Sequence, residues 1–143
     1  MKIRIINTSE NPLPHYETIA SAGMDLRAKV SQPSTLKPLE RAIIKTGLFI
    51  ELPIGYEAQV RPRSGLAAKY GIFLPNSPGT IDADYRGEVC VILGNVGSGS
   101  FIVTRGMRIA QMVVSTVVKA EVEQVNQLDE TTRGRGGFGH TGV

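Results

Sequence analysis

The sequence predicts an all-β domain with one short helix and a glycine-rich C-terminal tail. Sixteen glycines and eight prolines in 143 residues punctuate the chain at intervals suited to short strands and turns. Between them, apolar residues alternate with polar ones, as Met24, Leu26 and Ala28 do around Asp25 and Arg27, which is the period of a half-buried strand. Only Arg63 to Gly71 has the composition of a helix.

Taken in order, Met1 to Ile6 reads as a strand and Asn7 to Tyr16, with Pro12 and Pro14, as a connector. Ala22 to Ala28 is a strand with one polar face, on which Asp25 and Arg27 form either an exposed pair or part of a cleft. Gln32 to Leu39 holds Pro33 and Pro38 and is expected to be loop. Ala42 to Lys45 and Leu48 to Leu52 read as two strands around a turn at Thr46-Gly47, and Tyr56 to Arg61 as another, ended by Pro62. In the helix Ser64 is the expected cap, Leu66-Ala67-Ala68 favours the conformation and Gly71 ends it. Its N-terminus, with Arg61 and Arg63 beside it, reads as either a phosphate seat or an ordinary capped end.

Further on, Val89 to Asn95, Phe101 to Thr104 and Met107 to Val114 read as strands, with Ser115 to Val125 continuing the last one. Gln111 is a polar group in an apolar run, so it is either a satisfied buried amide or a ligand contact. Gly79 to Glu88 carries Asp82, Asp84 and Tyr85 between two apolar segments. It reads as the turn of a β-hairpin, whose carboxylates suit a metal, a general base or mere solvation.

Composition excludes several classes. Hydrophobic residues make up 41% and charged residues 20%, as in an ordinary soluble domain. No apolar run nears the roughly 20 residues of a membrane span. The first six residues are too short and too charged for a signal peptide, so a cytoplasmic location is expected. The lone cysteine, Cys90, excludes an intrachain disulfide. A net charge of +3 permits an anionic partner without naming one. From Arg133 onward glycine dominates, and such a segment cannot order itself cheaply. It reads as a frayed end or an RNA-binding Arg-Gly segment. A dinucleotide fingerprint at Gly134, Gly136 and Gly139 fails because no helix follows. No phosphate-binding Gly-x-x-x-x-Gly-Lys loop and no zinc-site spacing occur.

Five segments then fall in a familiar order: Ala22 to Ala28, Arg61 to Ala67, Gly79 to Gly87, Arg108 to Met112 and Arg133 to Gly142. Together they resemble the five motifs of the trimeric dUTP diphosphatases, and the resemblance runs from about Leu13 to Gly142. Met107 departs from it, since many relatives carry an acid there. The resemblance implies a jelly-roll-like (β-clip) subunit, with residues 1–130 as the β domain and 131–143 as a flexible arm closing an active site. It implies a homotrimer with shared sites, Mg²⁺ as cofactor, and hydrolysis of dUTP to dUMP and pyrophosphate. That activity would limit uracil incorporation into DNA and supply dUMP for thymidylate synthesis. No membrane and no direct nucleic-acid partner are expected.

The same resemblance implies residue roles. Asp82 deprotonates the attacking water. Asn76 and the backbone from Phe73 to Asp82 read uracil, and Tyr85 packs on the deoxyribose. Arg63, Ser64, Gly65 and Gln111 hold phosphates, and Asp25 meets the metal through water. Arg133, Phe138, Gly139 and Thr141 belong to the arm, with Phe138 on the base and Arg133 on the terminal phosphate. The chemistry is coherent: a lone carboxylate suffices as base when cations and donors stabilise the phosphoryl transition state. Two rivals are a dCTP deaminase, which lacks the Ile81 to Gly87 segment, and a non-catalytic module using the same pocket.

Overall fold

The computed structural model describes residues 1–138. Ten strands and one helix follow in order: β1 (Arg4–Asn7), β2 (Gly23–Arg27), β3 (Ser34–Leu36), β4 (Arg41–Glu51), β5 (Tyr56–Arg61), α1 (Ser64–Tyr70), β6 (Ile72–Phe73), β7 (Gly79–Ile81), β8 (Glu88–Asn95), β9 (Phe101–Val103) and β10 (Arg108–Thr116). They form two four-stranded sheets, ordered β1-β4-β8-β6 and β2-β10-β5-β7, and a β3-β9 pair. All registered pairs are antiparallel, so each sheet can bury one face and leave the other to solvent.

The alternation delivers that arrangement. Met24 and Leu26 of β2, Val60 of β5, Met112 of β10 and Val89, Val91 and Leu93 of β8 point into one core shared by both four-stranded sheets. Full burial of each such side chain stabilises the fold by roughly 1.5–3 kcal/mol before entropy is counted. Two buried polar groups tie loops to this core. Asn95 donates from Nδ2 to the carbonyls of Leu36 (3.0 Å) and Gly99 (2.9 Å) and accepts from the Gly97 N–H at 2.8 Å. Thr46 donates its hydroxyl to the Val89 carbonyl.

Several expectations need correction. Residues 41–51 are one strand, not two: its register against β8 shifts between Lys45 and Phe49, so Thr46-Gly47 is a bulge. Glu88 secures it by accepting the Gly47 N–H at 2.8 Å, with Gly47 at φ +77°. The expected loop at Gln32 to Leu39 contains β3, because Pro33 and Pro38 flank the paired residues and cost the ladder no donor. Ser64 is not the cap of α1. Arg63 occupies that position, no side chain caps the helix, and Gly71 closes it in the left-handed region.

The segment around Asp82 is not a simple hairpin turn. Its flanks do pair, Ile72 with Asn95 and Phe73 with Gly94, but the chain between them leaves that sheet. It forms β7 against β5 in the other sheet before returning. The last strand stops at Thr116, opposite Tyr56. Beyond Tyr56 the partner turns away through Pro53–Gly55; Val117 still donates its N–H to the Gly55 carbonyl at 2.9 Å, but residues 117–125 are not strand.

Candidate active site

One row of side chains crosses three strands. Asp25 of β2 lies opposite Gln111 of β10, which lies opposite Arg61 of β5. Residues directly opposite share a face, and their neighbours Met24, Met112 and Val60 fill the core on the other side. The period of two therefore forces this polar row outward from a well-packed sheet.

Arginines converge on Asp25. Arg63 donates from Nε to Oδ1 at 2.8 Å, with the two side chains only 29% and 18% exposed. Arg108 approaches Oδ2 at 3.3 Å and also meets Glu17 at 3.9 Å. Arg61 instead folds back onto Gln59, with Nε 3.1 Å from Oε1. Gln111 donates from Nε2 to the Pro62 carbonyl at 3.0 Å, fixing the turn that leads into α1. Ser64 and Gly65 are exposed, and a Cβ on Gly65 would meet nothing within 4 Å, so their backbone faces open space. The row thus offers guanidinium, hydroxyl, amide and backbone donors to an anion.

Asp82 lies elsewhere. It follows Ile81, which pairs with Ala58, at the end of β5 away from Arg61. Four residues of strand rise separate the two positions, about 13 Å. Asp82 is exposed and lines a 580 Å³ groove with Leu52, Pro53, Ile54, Tyr56 and Glu57. None of Asp25, Arg63, Ser64 or Gln111 borders that groove. Tyr85, 43% exposed, donates its hydroxyl to the Glu88 carbonyl at 3.1 Å and covers Gly87, where any Cβ would strike the ring. Asn76 lies in the exposed crossing from β6 to β7, with Nδ2 3.0 Å from where a Cβ on Gly79 would stand.

Within one chain, then, Asp25, Arg63 and Gln111 come together with Ser64 and Gly65 beside them, while Asp82 stands apart. In the tail, Arg133 donates from Nε to the Gly136 carbonyl at 2.9 Å, and Phe138 is fully exposed. Gly139 and Thr141 lie outside the described residues. Arg108 and Gly23, the latter against Gln111, are neighbours of the row that motif reading assigned no role. Arg108 carried a signal, a cation on the strand facing Asp25. Gly23 carried a weaker one, a glycine inside a strand pattern, which often marks a close approach.

Among the described residues no group of three or more His, Cys, Asp or Glu side chains could hold an ion. Asp25 is the one carboxylate of the row. That does not fit a protein cage, but it fits Mg²⁺, which keeps most of its waters and uses one or two carboxylates with substrate phosphates.

A jelly-roll-like β-clip fold bearing an outward-facing row of polar and charged side chains is the class that fold and site define. The dUTPase family model matches residues 9–142, and the chain belongs to that family. It is 54% identical over 142 residues to the deoxyuridine 5'-triphosphate nucleotidohydrolase of Finegoldia magna, covering 99% of each chain. It is 56% identical to the Rhizobium etli protein of the same name, over 99% of this chain and 92% of that one. Among solved structures, the Staphylococcus bacteriophage 80alpha dUTPase with dUpNHpp superposes with a TM-score of 0.89 at 26% identity, covering 99% of both chains. A mutant dUTPase from phage phi11 of S. aureus, described as coordinating a structural Mg(II) ion, has the same fold, with a TM-score of 0.80 at 22% identity. Among the described residues no helix is long and apolar enough to cross a membrane.

Proposed function

We propose that this chain hydrolyses dUTP to dUMP and pyrophosphate, in the cytoplasm, as a homotrimer whose active sites are shared between subunits. The near full-length identity to two deoxyuridine 5'-triphosphate nucleotidohydrolases supports the reaction. One observation carries the shared site: Asp82 and the Asp25–Gln111–Arg61 row sit at opposite ends of β5. A base about 13 Å along the strand from the phosphate donors of its own chain is better placed to serve the donors of another copy, and a cyclic trimer supplies one such pairing at each boundary.

In this reading Arg63, Ser64, Gly65 and Gln111 grip the phosphates, while Asn76 and the backbone from Phe73 to Asp82 read uracil. Tyr85 presents its ring to the deoxyribose. Asp82 accepts a proton as a water oxygen bonds to the α-phosphorus, and the bond from that phosphorus to the pyrophosphate oxygen breaks. The α-phosphate leaves as dUMP. Mg²⁺, when bound with the triphosphate, supplies charge that offsets the phosphates; Asp25 would hold it through water. Residues 131–143 act as an arm over a site, with Phe138 on the base, Arg133 on the terminal phosphate and Gly139 and Thr141 in the closing segment. The product supplies thymidylate synthesis, and removal of dUTP limits uracil in DNA.

The test is incubation of the purified protein with dUTP or dCTP and Mg²⁺. Pyrophosphate from dUTP is the expected result. Ammonia from dCTP, or no product, would overturn the reading.

A further inference from the structure

We infer that Gly23 is a positioning residue for the phosphate row: its missing side chain makes the room in which the Gln111 carboxamide is aimed at Pro62. This deepens the role proposed above for Gln111 and rests on that reading. Gly23 lies on β2 and pairs with Val113, one residue pair along from Met24 and Met112 and two from Asp25 and Gln111. A Cβ placed on Gly23 would collide with Gln111 Oε1, and would stand 3.3 Å from its Cδ and 3.4 Å from its Cβ. The backbone does not demand glycine here, because Gly23 is not among the positive-φ glycines of the described residues, Gly47, Gly55, Gly71, Gly106 and Gly134. Gly23 therefore owes its identity to Gln111, not to a turn.

The consequence is directional. The collision falls on the far end of a flexible side chain, so the side chain yields and the strand does not. When Gln111 is displaced, the bond from Nε2 to the Pro62 carbonyl, 3.0 Å in the native arrangement, is lost. That bond fixes the turn between Arg61 and Ser64, and Gln111 is itself one of the phosphate donors proposed above. One methyl group on β2 thus unsets both a phosphate donor and the turn carrying Arg63 and Ser64. Alanine is meanwhile the better strand residue and removes unfolded-state entropy, which offsets the loss of the Gln111–Pro62 bond.

The experiment is a double-mutant cycle on the full chain with Gly23→Ala, Gln111→Ala and both together. It reads dUTP turnover, melting temperature and the side-chain amide resonance of Gln111 in the ligand-free protein. Gly23→Ala should lower kcat/KM by roughly 10–100-fold, the effect of losing one hydrogen bond to a charged group. Its melting temperature should stay close to that of wild type, and the Gln111 amide resonance should move. Adding Gly23→Ala to Gln111→Ala should cost nothing further. An unmoved Gln111 resonance, a clearly lowered melting temperature in Gly23→Ala, or losses that multiply in the double variant would overturn the inference. The resonance is read without substrate, so a wild type that fails to cleave dUTP defeats the functional proposal while this test still stands.

Discussion

Asp25 holds two arginines, and removing it separates its structural contribution from its chemical one. The Arg63 bond is 2.8 Å long between side chains 29% and 18% exposed. A charge-assisted hydrogen bond in that setting contributes about 1.5–3 kcal/mol. The Arg108 contact, 3.3 Å with an arginine 43% exposed, is screened by solvent and contributes about 0–1 kcal/mol. Asp25→Ala should thus cost about 2–3 kcal/mol, which lowers the melting temperature by about 6–10 °C for a domain of this size. Asp25→Asn keeps one oxygen for Arg63 but loses the charge, so it should lose about half as much. The assay is thermal unfolding at one fixed protein concentration, with Arg63→Ala alone and combined with Asp25→Ala. A coupling of about 1.5 kcal/mol or more is expected. Additivity within about 0.3–0.5 kcal/mol would refute the pairing as a source of stability.

Other outcomes follow from the same geometry. Tyr85→Ala should narrow the preference for dUTP over UTP, while Tyr85→Phe, which keeps the ring, should preserve it; kcat/KM for both nucleotides checks this. Gly71→Ala should destabilise by about 2 kcal/mol or more, seen in denaturant unfolding, since Gly71 has φ +67° and a new Cβ would stand 2.5 Å from the Gly97 nitrogen. Burial pushes the Cys90 thiol above its ordinary 9.0, with Glu88 adding to the rise and Lys45 opposing it. A raised value means the folded state holds the proton more tightly, so this contribution is complete below the unfolded thiol's pKa and is lost as pH rises through the folded one. The stability difference between wild type and Cys90→Ala should stay level from pH 7 to 8 and fall above about pH 9. A difference that does not change up to pH 10 contradicts that.

Much of this could be read from residue order alone. Met24, Leu26 and Ala28 alternate cleanly, and the structure buries all three. Gly71 ends α1 as its position suggested. The misreadings share one cause, which is that pairing partners lie far away in sequence. Thr46-Gly47 resembles a turn until Val89 and Glu88 are seen to hold it as a bulge. Ser34 to Leu36 looks like loop until Phe101 to Val103 lies beside it. Residues 117–125 are β-branched enough for a strand, but after the single Val117 bond to Gly55 the partner strand has turned away. For the site, the resemblance implied sites shared between subunits, and the register puts Asp82 at the far end of β5 from the phosphate residues. No local pattern records such a separation, because it is a property of the sheet.

The shared site is tested most directly by mixing two defective chains. One carries Asp82→Asn and keeps the phosphate row; the other carries Ser64→Ala with Gln111→Ala and keeps Asp82. Asp82→Asn retains shape but cannot take the water's proton, so each protein alone should lose roughly 10²–10⁴-fold in turnover or a comparable part of it. Co-refolded in equal amounts, about a quarter of sites should combine a native base from one chain with a native row from another, by random assortment around a three-fold ring. Recovery to about a quarter of wild-type turnover in verified mixed trimers is the predicted result. Turnover that stays at the level of the separate proteins would contradict it, since base and phosphate donors would then belong to a single chain.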